Sequence, residues 1–215
     1  MSYDRGYFDA RSSGEGARTS MRIQELDRVG RRTGLEGGVV IDVGCGLGEL
    51  LDLMPGDRWK KYGVEVSGSA RDVCRGKGIS FDLPTSEGWC DLVVLRGSLQ
   101  HLDRPLETLV SSYRWLREGG WLVALATPNA GGPVYRLFQD LPALDPPRNF
   151  VVFSDRVLRQ CLLNIGFREP HFEYPYLGTP YARPVRDHVG FVLRLFGIKS
   201  RFAFWRNMME CYAQR

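Results

Sequence analysis

The sequence predicts an α/β domain in which a mostly parallel sheet carries helices on both faces. The first observation is the stretch Val39–Leu51, in which an apolar run is followed by three glycines at alternate positions and then by an amphipathic segment. This order is typical of a buried parallel strand, a tight turn and a helix start. The second observation is that apolar runs and helical patterns then alternate along the chain, as they do in doubly wound sheets.

Size and composition limit the classes of protein that the chain can represent. Its 215 residues, 43% of them hydrophobic, fit one domain with a complete core. Five scattered cysteines without a C-x-x-C pair predict reduced thiols in a cytoplasmic protein, and no metal site. No apolar stretch is long enough to cross a bilayer, and the polar N-terminus does not resemble a signal peptide. A net charge of +4 permits an anionic substrate, but no basic run carries the interleaved aromatics typical of nucleic acid binding.

The N-terminal region divides into an arm and a helix. Residues 1–20 contain Gly, Ser and Arg with little periodicity and predict a mobile arm, which leaves 21–215 as a single domain. Ile23, Leu26 and Val29 have helical spacing and predict a helix over Met21–Arg32. The aromatic side chains of the arm either cover a ligand or pack on the surface, and the sequence leaves both open.

The glycine-rich stretch Asp42–Gly48 predicts a ligand site. Glycines are needed where φ is positive or where a ligand approaches the backbone, and the following helix start presents free N–H groups. The spacing reads D-x-G-x-G-x-G. It differs from the dinucleotide pattern G-x-G-x-x-G, because Glu49 stands where the last glycine of that pattern belongs.

A carboxylate lies at the carboxyl end of the second predicted strand, Lys61–Val66. Glu65 lies at the end of this strand, about twenty residues beyond the glycine turn, where a carboxylate can accept both hydroxyls of a ribose. Ser67 is predicted to cap the next helix, Ala70–Arg75.

The middle of the chain predicts three more strands and one helix. Gly78–Leu83 is the third predicted strand and Cys90–Arg96 the fourth. Arg104–Arg117 has one apolar face and predicts a helix that ends at a glycine pair. Trp121–Asn129 then contains the fifth strand and its exit.

The last third predicts two helices, two strands and two insertions. The insertions are expected at about 129–153 and 177–206. The elements expected around them are the helices Pro133–Leu141 and Asp155–Asn164 and the strands Phe167–Tyr176 and Met208–Gln214.

Residues 39–129 resemble class I S-adenosylmethionine-dependent methyltransferases. Asp42–Gly48 is similar to the first motif of that family. The stretch from Cys90 to Pro105 is similar to "FDvV…lEHl.dP", and Arg114–Asn129 to "rvLkpGG.l.i..PN". The resemblance implies a Rossmann-like sheet of seven strands with the last one antiparallel, and S-adenosylmethionine as the cofactor, which leaves as S-adenosylhomocysteine.

The resemblance also implies roles for individual residues. Glu65 would hold the ribose, the glycine turn would face the amino-acid portion, and Asp82 with Leu83 would hold the adenine. Asp82 has the alternative of a simple turn residue before proline. The cofactor-binding residues implied are Asp42, Gly44, Cys45, Gly46, Gly48, Glu65, Val66, Asp82, Leu83, Arg96, Gly97 and Ser98.

Methyl transfer from a sulfonium requires in-line alignment, so no conspicuous catalytic motif is expected. An alcohol acceptor must also lose a proton, and His101, after the fourth strand, is the best-placed base, with a structural histidine as the alternative. The acceptor pocket is expected to draw on the arm and both insertions, where aromatics and arginines suit a hydrophobic or glycosidic acceptor with an anionic group. A solvated basic rim is the alternative. The candidate substrate residues are Tyr7, Tyr135, Arg148 and Tyr181.

The sequence therefore predicts O-methylation of a small molecule or a carrier-linked glycan intermediate. One alternative is a quinone or lipid methyltransferase at a membrane surface, which requires the stretch Val185–Ile198 to bind lipid. Another is a binding module that has lost catalysis. We expect His188–Phe196 to pack on the sheet, and no nucleic acid partner is expected, because Arg96–Leu99 replaces the N/D-P-P-Y/F pattern of many enzymes that methylate amino groups of nucleic acids. The oligomeric state is left open.

Overall fold

The computed structural model describes residues 15–141, 144, 149–177, 179, 182–200, 202 and 206–215. The described helices are α1 Glu15–Thr33, α2 Glu49–Asp52, α3 Gly68–Gly76, α4 Pro105–Trp115, α5 Pro133–Phe138, α6 Asp155–Ile165 and α7 Pro184–Leu195. The described strands are β1 Gly38–Val43, β2 Trp59–Val64, β3 Cys90–Arg96, β4 Leu116–Pro128, β5 Arg168–Glu173 and β6 Met208–Gln214. A 3₁₀ turn, Leu99–His101, follows β3.

The described strands form one six-stranded sheet in the order β2-β1-β3-β4-β6-β5. The strands β1 to β4 are parallel, whereas β6 is antiparallel to both β4 and β5. The Rossmann-like fold and the antiparallel last strand are thus confirmed. Because the chain passes from β1 to β2 on one side and to β3 on the other, the order reverses at β1. The carboxyl ends of β1 and β3 therefore lie at the switch point of the strand order, where open α/β sheets bind ligands.

The prediction of a strand over Gly78–Leu83, and hence of seven strands, is wrong. In the described structure this segment forms a single parallel bridge, between Ser80 and Tyr62. The Ser80 hydroxyl accepts a hydrogen bond of 3.2 Å from the backbone N–H of Asp82, which turns the chain away after one paired residue. Pro84 then removes a further donor. The segment borders β2 without extending the sheet.

Helix α1 begins earlier than the sequence pattern predicts. We expected Met21–Arg32, whereas α1 covers Glu15–Thr33, so residues 15–20 of the predicted arm are helical and 1–14 lie outside the described residues. Ile23, which the spacing placed on the buried face, is 53% exposed. The apolar periodicity therefore identified the helix but misplaced its inner face.

Two apolar cores separate the sheet from the helices on its two sides. Leu109 of α4 and Leu158 of α6 belong to the core on one face of the sheet. Val29 of α1, Leu51 of α2 and Cys74 of α3 belong to the core on the other face. Successive strand residues point to opposite faces, so an apolar run in a central strand supplies both cores. This is why the middle of the central strand β3, Leu92–Leu95, is an unbroken apolar run.

Helix α7 packs on a third, smaller cluster rather than on the sheet, contrary to our expectation. The cluster contains Val134, Leu141 and Phe202. The ring of Phe191 on α7 meets Phe138 at 5.8 Å and Phe202 at 6.1 Å between centroids, both edge to face. Phe191 is thus the main apolar contact of α7 with the rest of the protein. Most of the other apolar residues of this helix lie outside the cluster.

A buried ion pair fastens α1 to the antiparallel strand β6. The carboxylate of Glu210 is almost fully buried and accepts hydrogen bonds from Arg28 Nε at 3.0 Å and from a terminal nitrogen of Arg28 at 2.5 Å. The hydroxyl of Tyr212 donates a third bond of 2.8 Å to the same carboxylate. The bond to Glu210 raises the pKa of the Arg28 guanidinium. Removing the cation would leave a buried charge uncompensated, which is far costlier than losing an exposed pair.

We therefore expect Arg28→Met to lower the free energy of unfolding by about 3 kcal/mol. Arg31→Met is the matched control, because Arg31 lies one turn away on the same helix and pairs with Asp27 in solvent. The control is expected to change stability by less than about 0.5 kcal/mol. Urea denaturation at neutral pH measures the free energy of unfolding of both variants. Equal losses would show that the buried pair contributes no more to stability than the exposed one.

Candidate functional site

The glycine turn after β1 has a backbone that only glycine adopts without strain. Gly44, Gly46 and Gly48 have φ of 78°, 56° and 72°. A Cβ on Gly44 would lie 2.6 Å from Cβ of Ser98, and one on Gly48 would lie 2.5 Å from Cδ1 of Ile79. The turn is also tied to β2, because the N–H of Gly44 donates to the carbonyl of Val64 at 2.7 Å. The positive φ therefore favours glycine at all three positions, and space also requires it at Gly44 and Gly48.

Cys45 lies between the first two of these glycines, and its side chain is buried under the turn. A Cβ on Gly63 of β2 would lie 2.8 Å from Sγ of Cys45, which shows how closely the sulfur packs against that strand. Cys45 therefore contributes to the core with its side chain, and only its backbone is available to a ligand.

Glu65 connects the glycine turn to the start of α3. One carboxylate oxygen accepts the N–H of Gly46 at 3.0 Å, and the other accepts the N–H of Ser67 at 2.8 Å. Ser67 in turn caps α3 by accepting from the N–H of Ala70, as predicted. A carboxylate has about four lone-pair sites, so Glu65 can still accept from two hydroxyls of a ligand. Val66, beside it, is highly exposed and could contact such a ligand.

Asp42 and Ser98 each bury a polar atom that lacks a partner among the described residues. These atoms are Oδ1 of Asp42 and the hydroxyl of Ser98. Burial raises the pKa of Asp42 to about 7; the charge of Arg96 opposes this shift and that of Glu65 adds to it. Buried polar atoms are nearly always hydrogen-bonded. A cationic ammonium group next to Gly44 would satisfy these two atoms, so the residues present fit the amino-acid end of S-adenosylmethionine.

Helix α1 borders this region with charged rather than apolar residues. Arg22 pairs with Glu49 at the start of α2. Glu25 accepts two bonds from Arg96, at 2.5 Å to Nε and 3.3 Å to a terminal nitrogen, and its burial raises the pKa of its carboxyl. The guanidinium of Arg96 thus binds Glu25 of α1, and only the backbone of Arg96 is available to a ligand. Sequence reasoning missed Arg22 and Glu25, although their spacing of three residues places them on one helix face.

Asp82 and Leu83 follow the single bridge beside β2. In that register, Asp82 lies level with Val64, the last residue of β2 and the neighbour of Glu65. The side chain of Asp82 is exposed, while Leu83 is half-buried against the core. The two residues thus end at the edge of the sheet that carries Glu65, as an adenine site would require.

The turn after β3 brings His101 and Gln100 to the same edge of the sheet. Gly97 has a φ of 61°, and the N–H of His101 donates to the carbonyl of Ser98 at 2.8 Å. His101 is half-buried. The amide nitrogen of Gln100 donates to the carbonyl of Gly97 at 3.0 Å, which identifies Oε1 as the oxygen that is buried without a described partner. Sequence reasoning overlooked Gln100, for which no pattern gave a signal.

Asn129 occupies the corresponding position after β4. Its Oδ1 accepts the N–H groups of Gly131 at 2.8 Å and Asp155 at 3.1 Å, so Nδ2 is assigned as the group that lacks a partner in the described chain. The N–H of Asn129 donates to the carbonyl of Asn207 at 2.9 Å, and the amide of Asn207 is also buried and unpaired among the described residues. A bulge in β4 near Ala126, which has a φ of 48°, lies just before this point.

The predicted substrate residues are only partly described. Tyr135 is half-buried against the cluster of Val134, Leu141 and Phe202, where it packs beside α7. Tyr7, Arg148 and Tyr181 lie outside the described residues. Within the described part of the chain, no three His, Cys, Asp or Glu side chains are grouped to hold a metal ion. None of the described helices is both long and apolar enough to cross a membrane.

These features define an α/β protein with a glycine turn and two acidic side chains, Asp42 and Glu65, at the switch point of its sheet. A family model described as a methyltransferase domain matches residues 17–169. The chain belongs to this family and has the class I fold of S-adenosylmethionine-dependent methyltransferases, as its resemblance predicted.

One curated relative is the ubiquinone biosynthesis O-methyltransferase of Thiobacillus denitrificans, which is 30% identical over 130 residues. The alignment covers 54% of each protein, so the chain spans about half the length of that relative.

Solved structures with the same fold are more distant in sequence. An S-adenosylmethionine-dependent methyltransferase from Archaeoglobus fulgidus has a TM-score of 0.66 at 22% identity and covers 99% of this chain and 100% of its own. The phosphoethanolamine N-methyltransferase 2 of Haemonchus contortus, in complex with S-adenosyl-L-methionine, has a TM-score of 0.59 at 15% identity. That match covers 89% of this chain and 52% of the Haemonchus protein. These two structures confirm the fold.

The buried carboxyl of Asp42 predicts a specific dependence of stability on pH. Because its folded pKa of about 7 lies above the unfolded value, the stability that it contributes is present at low pH and is lost as the pH rises toward 7. Asp42→Asn removes this loss. The free energy of unfolding of Asp42→Asn minus that of wild type is expected to rise by about 2 kcal/mol between pH 5 and pH 7 and then to level off.

Urea denaturation of the cofactor-free protein at a series of pH values measures this difference. Asp57→Asn, at an exposed position before β2, is the control and is expected to follow wild type at every pH. A difference between Asp42→Asn and wild type that does not change with pH would contradict the raised pKa.

Proposed function

We propose that this enzyme transfers the methyl group to an oxygen atom of a small molecule or a carrier-linked glycan intermediate. The observation that carries the proposal is the pair of amide atoms after β3 and β4 that lack a partner among the described residues, Oε1 of Gln100 and Nδ2 of Asn129. One is an acceptor and the other a donor, which suits a hydroxyl, since a hydroxyl both donates and accepts. That the curated relative is named an O-methyltransferase supports the same chemistry.

The cofactor is proposed to lie across the carboxyl ends of β1, β2 and β3. Glu65 would accept the two ribose hydroxyls, and Asp82 with Leu83 would meet the adenine. Asp42 and Ser98 would bind the amino-acid end, beside the backbone of Arg96 and Gly97. The support for these roles is the unpaired atoms of Asp42 and Ser98 and the remaining acceptor capacity of Glu65.

The bound cofactor supplies an activated methyl group on a positively charged sulfur. The contribution of the protein is to hold the acceptor oxygen in line with that methyl group, and such alignment is worth up to about 7–11 kcal/mol in favourable intramolecular reactions. Gln100 and Asn129 are proposed to orient the acceptor hydroxyl. His101 would take its proton through the imidazole as the oxygen attacks, which keeps the oxygen from becoming a charged oxonium.

A quinone-type or lipid acceptor is the second candidate. It is favoured by one observation, the name of the curated relative, which assigns that protein to ubiquinone biosynthesis. A hydroxylated aromatic precursor of a quinone would present a phenolic hydroxyl to the methyl group. The two candidates therefore share the chemistry at oxygen and differ in the apolar portion of the acceptor.

The ribose role of Glu65 is tested by the affinity for S-adenosylhomocysteine. Glu65→Gln removes the charge and places an amide N–H₂ opposite one backbone donor, so binding is expected to weaken at least tenfold, about 1.4 kcal/mol. Glu87→Gln, an exposed acid outside the site, is the control and should bind as wild type does. Isothermal titration calorimetry measures both, with thermal unfolding of the free variants as the check on folding.

Two results of this titration would each remove one part of the proposal. Wild-type affinity in Glu65→Gln would disprove the ribose contact. Failure of the folded wild-type protein to bind the cofactor product would favour a binding module that has lost catalysis.

The role of His101 is tested with a panel of acceptors that carry a phenolic hydroxyl, a glycosidic hydroxyl or an amine, with and without a polyprenyl chain. The expected product gains one methyl group at oxygen. His101→Gln is expected to lower kcat by about a hundredfold while the affinity for S-adenosylhomocysteine stays unchanged.

His171→Gln is the matched control, because His171 lies on β5 and pairs with Glu173 on an exposed surface. Equal kcat values for the two variants would assign His101 a structural role. Methylation of amines alone would overturn O-methylation, and a strict need for the polyprenyl chain would select the quinone or lipid acceptor.

A further inference from the structure

The outward face of α7 is a continuous apolar stripe. Val185, Val189, Val192 and Phe196 are four, three and four residues apart, so they lie above one another on the helix. Each is between 49% and 82% exposed, although the helix is packed on its other side. We call these four residues the α7 stripe. Single exposed apolar residues are common, but an aligned set of four is typical of a surface that binds a partner.

The inward face of α7 includes two charged residues, Asp187 and Arg194, beside Gly190 and Phe191. Asp187 is buried and accepts a hydrogen bond of 2.8 Å from the hydroxyl of Tyr176 and one of 2.9 Å from the N–H of Arg183. Arg194 donates to Asp140 at 2.5 Å. A Cβ on Gly190 would lie 3.2 Å from the ring of Phe202, so the helix approaches that ring closely. These contacts fix the rotation of α7 and keep the α7 stripe on the outside.

The charges beside the α7 stripe are positive. Among the described residues 182–200, the exposed charged side chains are Arg183, Arg186 and Lys199. The carboxylate of this segment, Asp187, is buried, and Arg194 is matched by Asp140. An apolar stripe with cations at its ends and side is complementary to a membrane that contains anionic lipids. A second copy of the chain would bring like charges together and is disfavoured.

We propose that α7 lies in the surface of an anionic membrane, with the α7 stripe among the acyl chains and Arg183, Arg186 and Lys199 at the phosphates. The 12 residues of α7 span roughly 18 Å, which suits a helix in the plane of the interface and is too short to cross a bilayer. The proposal does not depend on the identity of the acceptor or on its methylation.

Sedimentation with vesicles tests the proposal. Wild type is expected to bind vesicles of phosphatidylcholine mixed with phosphatidylglycerol, to bind pure phosphatidylcholine weakly, and to dissociate as salt is raised. The triple variant Val185→Ser/Val189→Ser/Phe196→Ser changes exposed side chains only, and its partition onto the anionic vesicles should fall by at least about tenfold. Leu106→Ser, at an equally exposed apolar position on α4, is the control and should bind as wild type does.

The affinity for S-adenosylhomocysteine is measured on the same samples and is expected to be equal in all of them. Failure of wild type to bind anionic vesicles, or equal binding by the triple variant, would overturn the proposal. A wild-type dimer that the triple variant converts to a monomer, without vesicle binding, would assign the stripe to self-association instead. If the wild-type protein binds anionic vesicles but methylates none of the acceptors, the proposed function is disproved and this inference stands.

Discussion

The site depends on the contact between the glycine turn after β1 and the turn after β3. Gly44 approaches Ser98 so closely that a Cβ would lie 2.6 Å from the serine side chain. This approach brings the ends of two adjacent strands together and buries Asp42 below them. Burial of Asp42 then raises its pKa, and the same burial leaves one of its oxygens without a described partner. A ligand with a cationic group can pair with this oxygen and favour the ionised carboxylate. The packing that shapes the turn therefore also produces a group that such a ligand would stabilise.

Charged contacts of α1 join this site to the rest of the sheet. Arg22 and Glu25 reach the start of α2 and the end of β3, while Arg28 reaches Glu210 on β6. Helix α1 is therefore held at these three points by buried or half-buried ion pairs, and a more exposed pair, Arg32 with Glu173, joins it to β5. Such pairs specify the position of α1 more sharply than apolar contacts do. A small shift of the helix would separate the charges and leave them buried without a partner, which is costly.

Sequence patterns predicted most elements, and they failed where tertiary contacts decide. The final strand Met208–Gln214 has the predicted bounds, since a local apolar run was a sufficient signal. The predicted strand at Gly78–Leu83 reduces to one bridge at Ser80, because a hydroxyl bond within the segment competes with the sheet. Helix α7 was expected on the sheet, but its packed face is set by Asp187 and by the approach to Phe202, neither of which periodicity shows.

By itself, the sequence determined the α/β fold, the glycine turn and the position of Glu65 at the end of β2. These properties follow from short-range chemistry, because positive φ at alternate residues and apolar runs are written locally. Only the tertiary structure decided that Gln100 and Asn129, after β3 and β4, bury groups without a partner in the described part of the chain, and that the apolar side of α7 faces outward. Both depend on which groups find partners across the fold. Such pairing is a property of three-dimensional packing, to which residues far apart in the chain contribute equally.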